Sequence, residues 1–590
     1  MPSPYEAPID LMRLALDQAC AASGANAIDG YAETLCELAT PILESASRFA
    51  GEILSPLNPI GDRTHSRCGP EGVVTPPGFP DAYRRFREDG WVSLSAPTEY
   101  GGQGLPGMLS VATGEMWAGA NMAFAMCPEL AVGALEAMRV HAPQALRDEY
   151  MPLIASGEWT SSMCLTEPQA GSDLSTIRTR AEPDGETWRL FGRKIYISWG
   201  DHDLTDNIVH FVLARTPDAP AGTKGISLFL VPKKIRSADG GQIPNDIHAV
   251  SVENKMGIHA SPTCVMALGE GPGARGWLIG KLHEGLACMF TIMNHMRIGV
   301  GTHSIGLAER GLQLARHHAR ERLQGRNQAG AQRPIIEHAD VRRMLLTMKS
   351  LIHAARCLTY VAAATVDVAH CAADEGKRAA AARRAELLTP IVKAWVSDVG
   401  FEAASLGVQV HGGTGYIDDA EISQVFRDSR IGSIFEGTNY IQAQDLVGRK
   451  ILRDRGVALE EFLRDVEAAA GALPADPAHP LRSLREGLIE GCADIRSLTA
   501  DLMNQALQDR EIVGSIAYDY LNCLGVLAGG WQWALTAAQA ISATTGTSGS
   551  TTLERTAAFY GARVLPRVKV HSAAVRSGSD PVMGVAVADL

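Results

Sequence analysis

The run Arg427-Asp428-Ser429-Arg430-Ile431-Gly432-Ser433-Ile434-Phe435-Glu436-Gly437-Thr438-Asn439-Tyr440-Ile441-Gln442 sets one carboxylate after an apolar approach and before turn chemistry. A glutamate at the mouth of a helix is suited to general-base work. Phe435 and Ile434 are expected to desolvate Glu436 and raise its pKa toward the working range of a base. Gly437 admits an unusual backbone angle, and Thr438 or Asn439 can cap the helix that comes next. The spacing of Ile441, Leu446, Val447 and Ile451 predicts a helix from Tyr440, so the carboxylate sits on a loop braced by a regular element. A glutamate ahead of a helix also serves as a solvated or capping residue, and the segment alone leaves both roles open.

The elements that must position such a loop are legible in outline. The chain has 590 residues, 46% of them hydrophobic, enough for several cores and three or four domains. From Asp10 to about Gly157 the pattern is helical, with Leu11, Leu14, Ala15 and Gln18 on one face and a longer run from Ala32 to Ile53. A loop rich in turn formers is expected from Pro56 to Pro80. From about Glu158 to Gly276 the texture is of short strands: Trp188 to Gly192, Ile208 to Ala214 and Ile226 to Val231, separated by Gly, Pro and Asp. Strands without helical partners suggest a small barrel or sandwich. Helical patterns return at Leu286 to Arg322, His338 to Cys371 and Arg378 to Val410, as in a bundle. Beyond Arg449 come a proline-punctuated stretch, Leu473 to Pro480, two or three helices, a loop from Thr544 to Thr552 and a helix to about Val575. The domains expected are 1–158 (helical), 159–276 (β), 277–450 (helical bundle with Glu436) and 451–590 (additional helical).

Several function classes are disfavoured. The opening Met1-Pro2-Ser3-Pro4-Tyr5-Glu6-Ala7-Pro8 has no basic region leading into an apolar run, so no secretory signal is expected. No stretch reads as long and apolar enough to span a bilayer. Eleven cysteines without a Cys-x-x-Cys pair argue against a disulfide framework and a metal site, and for reduced thiols in a cytoplasmic protein. A net charge of -12 is unfavourable for phosphate backbones, so nucleic acid is not an expected partner. Gly102, Gly104 and Gly107 form a Gly-x-Gly-x-x-Gly match, but no strand precedes it and Pro106 sits inside it, so a dinucleotide-binding turn is rejected.

A second segment, Met163-Cys164-Leu165-Thr166-Glu167-Pro168-Gln169-Ala170-Gly171-Ser172-Asp173-Leu174, together with the Glu436 segment resembles the acyl-CoA dehydrogenase family. Further motifs follow in family order: Gly192-Arg193-Lys194-Ile195-Tyr196-Ile197-Ser198-Trp199-Gly200, Lys255-Met256-Gly257-Ile258 with Ser261-Pro262-Thr263, Glu321-Arg322-Leu323-Gln324-Gly325-Arg326, and Gln409-Val410-His411-Gly412-Gly413-Thr414-Gly415-Tyr416. The resemblance covers about residues 80 to 450. It implies a mainly α fold with a β middle domain, to which the last region adds a helical domain. The opening Tyr5 to Leu14 also resembles the enlarged bacterial branch of the family, which includes dehydrogenases of 3-methylmercaptopropionyl-CoA.

Desaturating an acyl thioester beside its carbonyl needs a base for the α proton and an acceptor for the β hydride. No side chain accepts hydride, so a flavin is required. The resemblance implies FAD as cofactor and Glu436 as base, with the glutamate's N–H helping to polarise the thioester carbonyl as enolate character develops. It implies that Leu165, Thr166 and Ser198 meet the flavin ring, and that Ser172 lies near the flavin phosphate or the CoA arm. Tyr196 and Ser198 stand where many relatives have Trp and Thr. Arg322 matches an arginine reaching the cofactor pyrophosphate of a neighbouring subunit, Gln409, Gly412 and Gly413 match the adenosine side, and Thr438 matches a flavin-nucleotide contact. For the substrate, the implied residues are Ser172, Asn294, Arg297, Gly437 and Arg449. Asn294 stands where relatives commonly carry Asp, and Arg449 reads equally as a solvated salt bridge. No metal is implied, and His411 reads as an ordinary loop histidine.

The resemblance leaves three activities open: a dehydrogenase passing electrons to an electron-transferring flavoprotein, an oxidase passing them to oxygen, and a DNA-protective flavoprotein. Residues 451–590 hold 12 Lys or Arg against 16 Asp or Glu, a balance of -4, which speaks against DNA. The acyl group stays open between a short thioether-bearing chain and fatty acyl chains. A cofactor site completed by a neighbour's arginine implies a homo-oligomer, most simply a dimer.

Overall fold

The computed structural model describes residues 4–237, 239–326, 329–542 and 548–590. Its helices begin with α1 (Ile9–Ser23), α2 (Tyr31–Phe49), α3 (Ser55–Thr64), α4 (Phe79–Glu88), α5 (Gly107–His141) and α6 (Gln144–Ala155). After the β region come α7 (Gly285–Glu321), α8 (Ala339–Cys371), α9 (Glu375–Ile391), α10 (Ser397–His411), α11 (Glu421–Ser429) and α12 (Asn439–Asp445). The last are α13 (Val457–Gly471), α14 (Arg482–Gln505), α15 (Ile512–Ser542), α16 (Ser548–Arg563), α17 (Arg567–Arg576) and the short α18 (Asp580–Met583). The chain forms two compact units, residues 4–6 with 45–299 and residues 7–44 with 300–590.

In the first unit, α4 buries Phe79, Ala82, Tyr83 and Phe86, the i, i+3, i+4, i+7 stripe of an amphipathic helix. Phe86 meets Trp117 and Phe124 of α5 edge to face, with centroids at 5.3 and 5.6 Å. α5 is kinked at Asn121 (φ -161°, ψ 90°), whose Oδ1 accepts from Phe124 N at 3.1 Å and recaps the second half. The loop expected from Pro56 to Pro80 is corrected: Ser55 to Thr64 is helical, because Pro56 falls in the first turn, where a missing N–H costs nothing. It is followed by a hairpin of β1 (Arg67–Gly69) and β2 (Gly72–Val74).

The β region is a small barrel. Its strands are β3 (Thr160–Cys164), β4 (Arg180–Asp184), β5 (Thr187–Ser198), β6 (Ile208–Arg215) and β7 (Ile226–Pro232), then a side hairpin of β8 (Lys234–Arg236) and β9 (Gln242–Pro244). β10 (Ile247–Val252), β11 (Thr263–Leu268) and β12 (Ala274–Ile279) complete it. Pairing runs β5, β12, β7, β6, β4 and back to β5, so the ring closes around Leu190, Val212 and Phe229. β11 and β10 extend the sheet from the far half of β5, and β3 from β6 in parallel. β5 is longer than the expected Trp188 to Gly192. Gly192, at φ 155°, is the point where the strand changes partners rather than its end, and a methyl there would lie 2.5 Å from Thr179 Oγ1.

In the second unit, α1 packs on α8. α1 buries Met12, Ala15, Leu16 and Ala19, so the face is turned slightly from the expected Leu11, Leu14, Ala15 and Gln18. Gln18 is buried all the same, donating to Gln532 Oε1 at 2.7 Å and accepting from Thr536 Oγ1 at 2.8 Å, both on α15. α7 ends in a hairpin of β13 (Leu323–Arg326) and β14 (Gln332–Pro334). α9 and α10 are joined through a π-helical turn, Val392–Val396, and α12 runs into another, Leu446–Leu452. The loop expected from Thr544 to Thr552 lies outside the described residues up to 547, and α16 begins at Ser548.

One expectation is overturned. α5, α8 and α15 are each long and apolar enough, by length and composition, to cross a membrane. Their most apolar windows are 89%, 89% and 72% buried inside the protein, so that surface is spent on packing. Their apolar windows only just reach that character, with mean hydropathies of 1.2, 1.2 and 1.3, and much of it comes from alanines rather than from a run of large aliphatic residues. The cysteines form no disulfide; most are buried, while Cys36 and Cys371 are exposed.

Candidate functional site

Within residues 300–590 the Glu436 turn is held from both sides. A 3-10 turn, Arg430–Ser433, leads in, and α12 leads out. Glu436 lies at φ 55° and Gly437 at φ 83°, consecutive left-handed residues. Glycine takes that angle freely, whereas for glutamate it is strained and persists only where the surroundings hold it. Gln442 Nε2 donates to the Glu436 carbonyl at 3.2 Å. Thr438 Oγ1 caps α12 by accepting from Ile441 N at 3.3 Å. The helix expected from Tyr440 starts at Asn439 and buries Leu446, Val447 and Ile451 as anticipated. The 3-10 turn ends at Ser433 and leaves Ile434 49% exposed, with Phe435 and Glu436 half-buried.

Asn439 was missed by sequence reasoning beyond its capping role. Its side chain is buried, with Nδ2 donating to Asp398 Oδ1 at 2.8 Å and to Ser397 Oγ at 3.0 Å, and Oδ1 accepting from Lys393 Nζ at 2.9 Å. The signal available was an amide directly after Gly437-Thr438, where helix capping needs only one of the two residues.

Within residues 45–299 the barrel rim gathers the second set. Leu165 and Thr166 follow the end of β3 and are half-buried. Ser198 ends β5 opposite Thr263. Tyr196 (φ 58°) and Trp199 (φ 52°) flank it in the left-handed region, a local strain at the rim. Ser172 is exposed, just before a 3-10 turn capped by Asp173 Oδ1. Among the described residues the hydroxyls of Thr166, Ser172 and Ser198 have no hydrogen-bond partner. The buried Trp199 Nε1 has none either.

Beneath this rim lies a pair absent from the expected site. Lys194 Nζ donates at 2.9 Å to both Glu167 Oε1 and Leu165 O, and both charged residues are buried. Glu167 also accepts from Thr179 N, Thr179 Oγ1, Arg178 N and Gln169 Nε2 at 2.6 to 3.0 Å. Burial alone raises a carboxylate, but the Lys194 charge and these donors outweigh it and hold Glu167 at about 2. Both residues stand in the family motifs; a shared site is not readable from positions 27 residues apart.

On α7, Arg297 is buried, with Nη1 donating to Asn294 Oδ1 at 3.2 Å and its guanidinium 5.5 Å from the Phe290 ring centroid. An asparagine in place of the more common carboxylate thus still receives the arginine. Arg322, Gln409, Gly412 and Gly413 are all exposed at the surface of the second unit. A methyl at Gly412 or Gly413 would meet nothing within 4 Å. His411 stacks on His318 with centroids at 4.5 Å and bonds the Gly407 carbonyl, a structural role. Arg449 forms an i,i+4 ion pair with Asp445 at 3.2 Å, with its guanidinium largely exposed.

Comparison with known proteins agrees along most of the chain, from residue 42 to residue 586. Family models match the acyl-CoA dehydrogenase N-terminal domain at residues 42–158, the middle domain at 162–269 and the C-terminal domain at 283–452. A fourth, "Acetyl-CoA dehydrogenase C-terminal like", matches 458–586. The 3-methylmercaptopropionyl-CoA dehydrogenase of Ruegeria pomeroyi is 41% identical over 541 residues, 90% of this chain and 91% of that protein. A broad-specificity linear acyl-CoA dehydrogenase of Mycobacterium tuberculosis is 34% identical over 559 residues, 90% and 89% of the two chains. An acyl-CoA dehydrogenase from Bacillus anthracis, solved in complex with FAD, superimposes with a TM-score of 0.75 at 22% identity, covering 91% of this chain and 88% of that one. The oxidase and DNA-protective readings find no support among these relatives. With models matching in order along its length, the chain belongs to the acyl-CoA dehydrogenase family, an oxidoreductase carrying the additional C-terminal helical region.

Proposed function

We propose that this protein converts an acyl-CoA thioester to the 2-enoyl-CoA, with Glu436 taking the α proton. FAD, when bound, supplies the acceptor for the β hydride that no side chain provides. The Cα–H electron pair becomes the new C=C bond, the proton passes to the Glu436 carboxylate, and the Cβ hydrogen leaves with its electron pair. One observation carries the assignment: Glu436 and Gly437 are consecutive left-handed residues (φ 55° and 83°) in a turn held by Gln442, Thr438 and Asn439. A strained, over-determined carboxylate suits a base that must meet one C–H bond in one geometry.

The residues present fit a flavin. Partner-free hydroxyls on Thr166, Ser172 and Ser198 are neutral donors, as ring and phosphate edges require, while the Glu167 charge is neutralised by Lys194 and kept from an electron-rich ring. Leu165 supplies an apolar edge beside Thr166. Thr438 is assigned to the flavin nucleotide, and Gln409, Gly412 and Gly413 offer open backbone for the adenosine side. Arg322, exposed on its own subunit, suits a pyrophosphate brought by a neighbour, which makes the protein a homodimer in this reading. Ser172, Asn294, Arg297 and Gly437 are assigned to the acyl-CoA.

The chain is further read as four domains, 1–158, 159–276, 277–450 and 451–590, as a cytoplasmic enzyme with reduced thiols, and as a donor to an electron-transferring flavoprotein. The Ruegeria and Mycobacterium relatives suggest two acyl classes, a 3-methylmercaptopropionyl chain and linear fatty chains. The test is anaerobic bleaching of the bound flavin by a panel of both classes, with Glu436→Gln in parallel. Rapid bleaching by one class, abolished in the variant, supports the reading and names the substrate. Flavin that no thioester reduces sinks it.

A further inference from the structure

The turn carrying Glu436 does not support itself, and its support can be followed into the C-terminal extension. Asn439 is anchored to Lys393, Ala394, Ser397 and Asp398, on the π-helical turn and the first turn of α10. Asp398 divides its oxygens: Oδ1 accepts from Asn439, and Oδ2 accepts from Tyr518 Oη at 2.7 Å. Tyr518 belongs to α15, beyond the part of the chain that builds the Glu436 turn. A second contact fixes the same turn. A methyl on Gly525 of α15 would lie 2.3 Å from Trp395 Cγ, and one on Gly529 would lie 2.8 Å from the tip of the same ring. The indole of Trp395 therefore seats against α15 so closely that only glycine fits at both places.

We propose that α15 positions the catalytic carboxylate, with Tyr518 acting through Asp398 and Asn439 on the Glu436 turn. The proposal rests on the reading of Glu436 as the base. If the phenol is lost, an oxygen of the half-buried Asp398 carboxylate is left without its donor, and the Asn439 amide already bonded to it and the Lys393 ammonium, whose charge it feels, can take the phenol's place. Either substitution of partners disturbs Asn439, three residues from a glutamate already in a strained conformation. Tyr518 and Asp398 are positioning residues in this scheme; neither touches substrate.

The test uses the full-length holoenzyme with Tyr518→Phe. The Tyr518 side chain is 42% exposed, so loss of its hydroxyl does not open the core. The expected result is at least a tenfold slower flavin reduction at saturating acyl-CoA, with the dissociation constant for the thioester changed less than twofold. The deuterium isotope effect with α-deuterated substrate should rise, and amide exchange should quicken in the peptide spanning residues 436–441 but not in the barrel. Unchanged reduction and unchanged exchange overturn the proposal. Faster exchange throughout α15 and the barrel also overturns it, because it marks general loosening. Glu436→Gln run in parallel separates the two claims: a variant that still reduces its flavin removes the base assignment, whereas an inactive Glu436→Gln beside an unaffected Tyr518→Phe removes only the positioning role.

Discussion

Lys194 Nζ stands 2.9 Å from Glu167 Oε1 and 2.9 Å from the Leu165 carbonyl, so one buried ammonium both neutralises a carboxylate and fixes the backbone of the strand end assigned to the flavin. Replacing the lysine alone leaves Glu167 charged and buried with its largest compensating interaction gone. Lys194→Met should therefore cost about 3–5 kcal/mol, as breaking a buried pair from one side does. The double change Lys194→Met with Glu167→Gln should recover a good part of that loss, because no uncompensated charge is left. Thermal midpoints of the two variants against the parent decide it, and a single variant as stable as the parent would show the pair to be dispensable.

Stability should fall on acidification in two stages. His210, hydrogen-bonded to Ser162 at 2.6 Å, and His202, bonded to Thr160 at 2.8 Å, are both held near 3 by burial and then by the Lys233 charge, against 6.5 ordinarily. An unfolded chain takes protons that these folded imidazoles refuse, so their contribution is full above pH 6.5 and is lost as pH falls toward 3. Each should cost about 2 kcal/mol between pH 7 and pH 5. Glu167, depressed from 4.5 to about 2, adds its loss only below pH 4.5. His210→Asn keeps an acceptor for Ser162 without an ionisable ring. Its thermal midpoint should decline less steeply than the parent's between pH 6.5 and pH 5; parallel slopes would refute the account.

Local patterns carried much of the fold. The helices from Leu286, His338 and Arg378 were legible because long apolar periodicity survives any tertiary context, and they are observed from Gly285, Ala339 and Glu375. The helix Ser55–Thr64 was not, because proline was read as a breaker where it occupies a first turn. Nor was the closure of the barrel, which depends on Arg180 meeting Arg215, a pairing no local pattern announces. At the candidate site the same division holds. Glu436, Gly437 and Thr438 announce a turn and cap by their types and order, whereas the grip of Asp398 on Asn439 spans 41 residues, and that of Tyr518 on Asp398 spans 120.

Two glycines separate catalysis from cofactor retention. Gly437 sits at φ 83°, and a methyl there would stand 2.7 Å from Gln442 Nε2, the atom that holds the Glu436 carbonyl. Gly437→Ala thus combines a left-handed alanine, costing about 1–2 kcal/mol, with displacement of Gln442. Its flavin content should match the parent's, while kcat measured with an artificial electron acceptor should drop at least tenfold. Gly413 is the reverse case: a methyl there meets nothing within 4 Å, so the fold has no reason to notice it. Gly413→Ala should melt within about a degree of the parent, as surface changes away from packed or strained positions do. Any effect must come from a molecule outside the chain, and the expected one is weaker flavin retention on dilution, read from the ratio of flavin to protein absorbance. Full retention in Gly413→Ala would remove that turn from the cofactor site, and undiminished turnover in Gly437→Ala would mean that the geometry of the Glu436 turn does not govern the reaction.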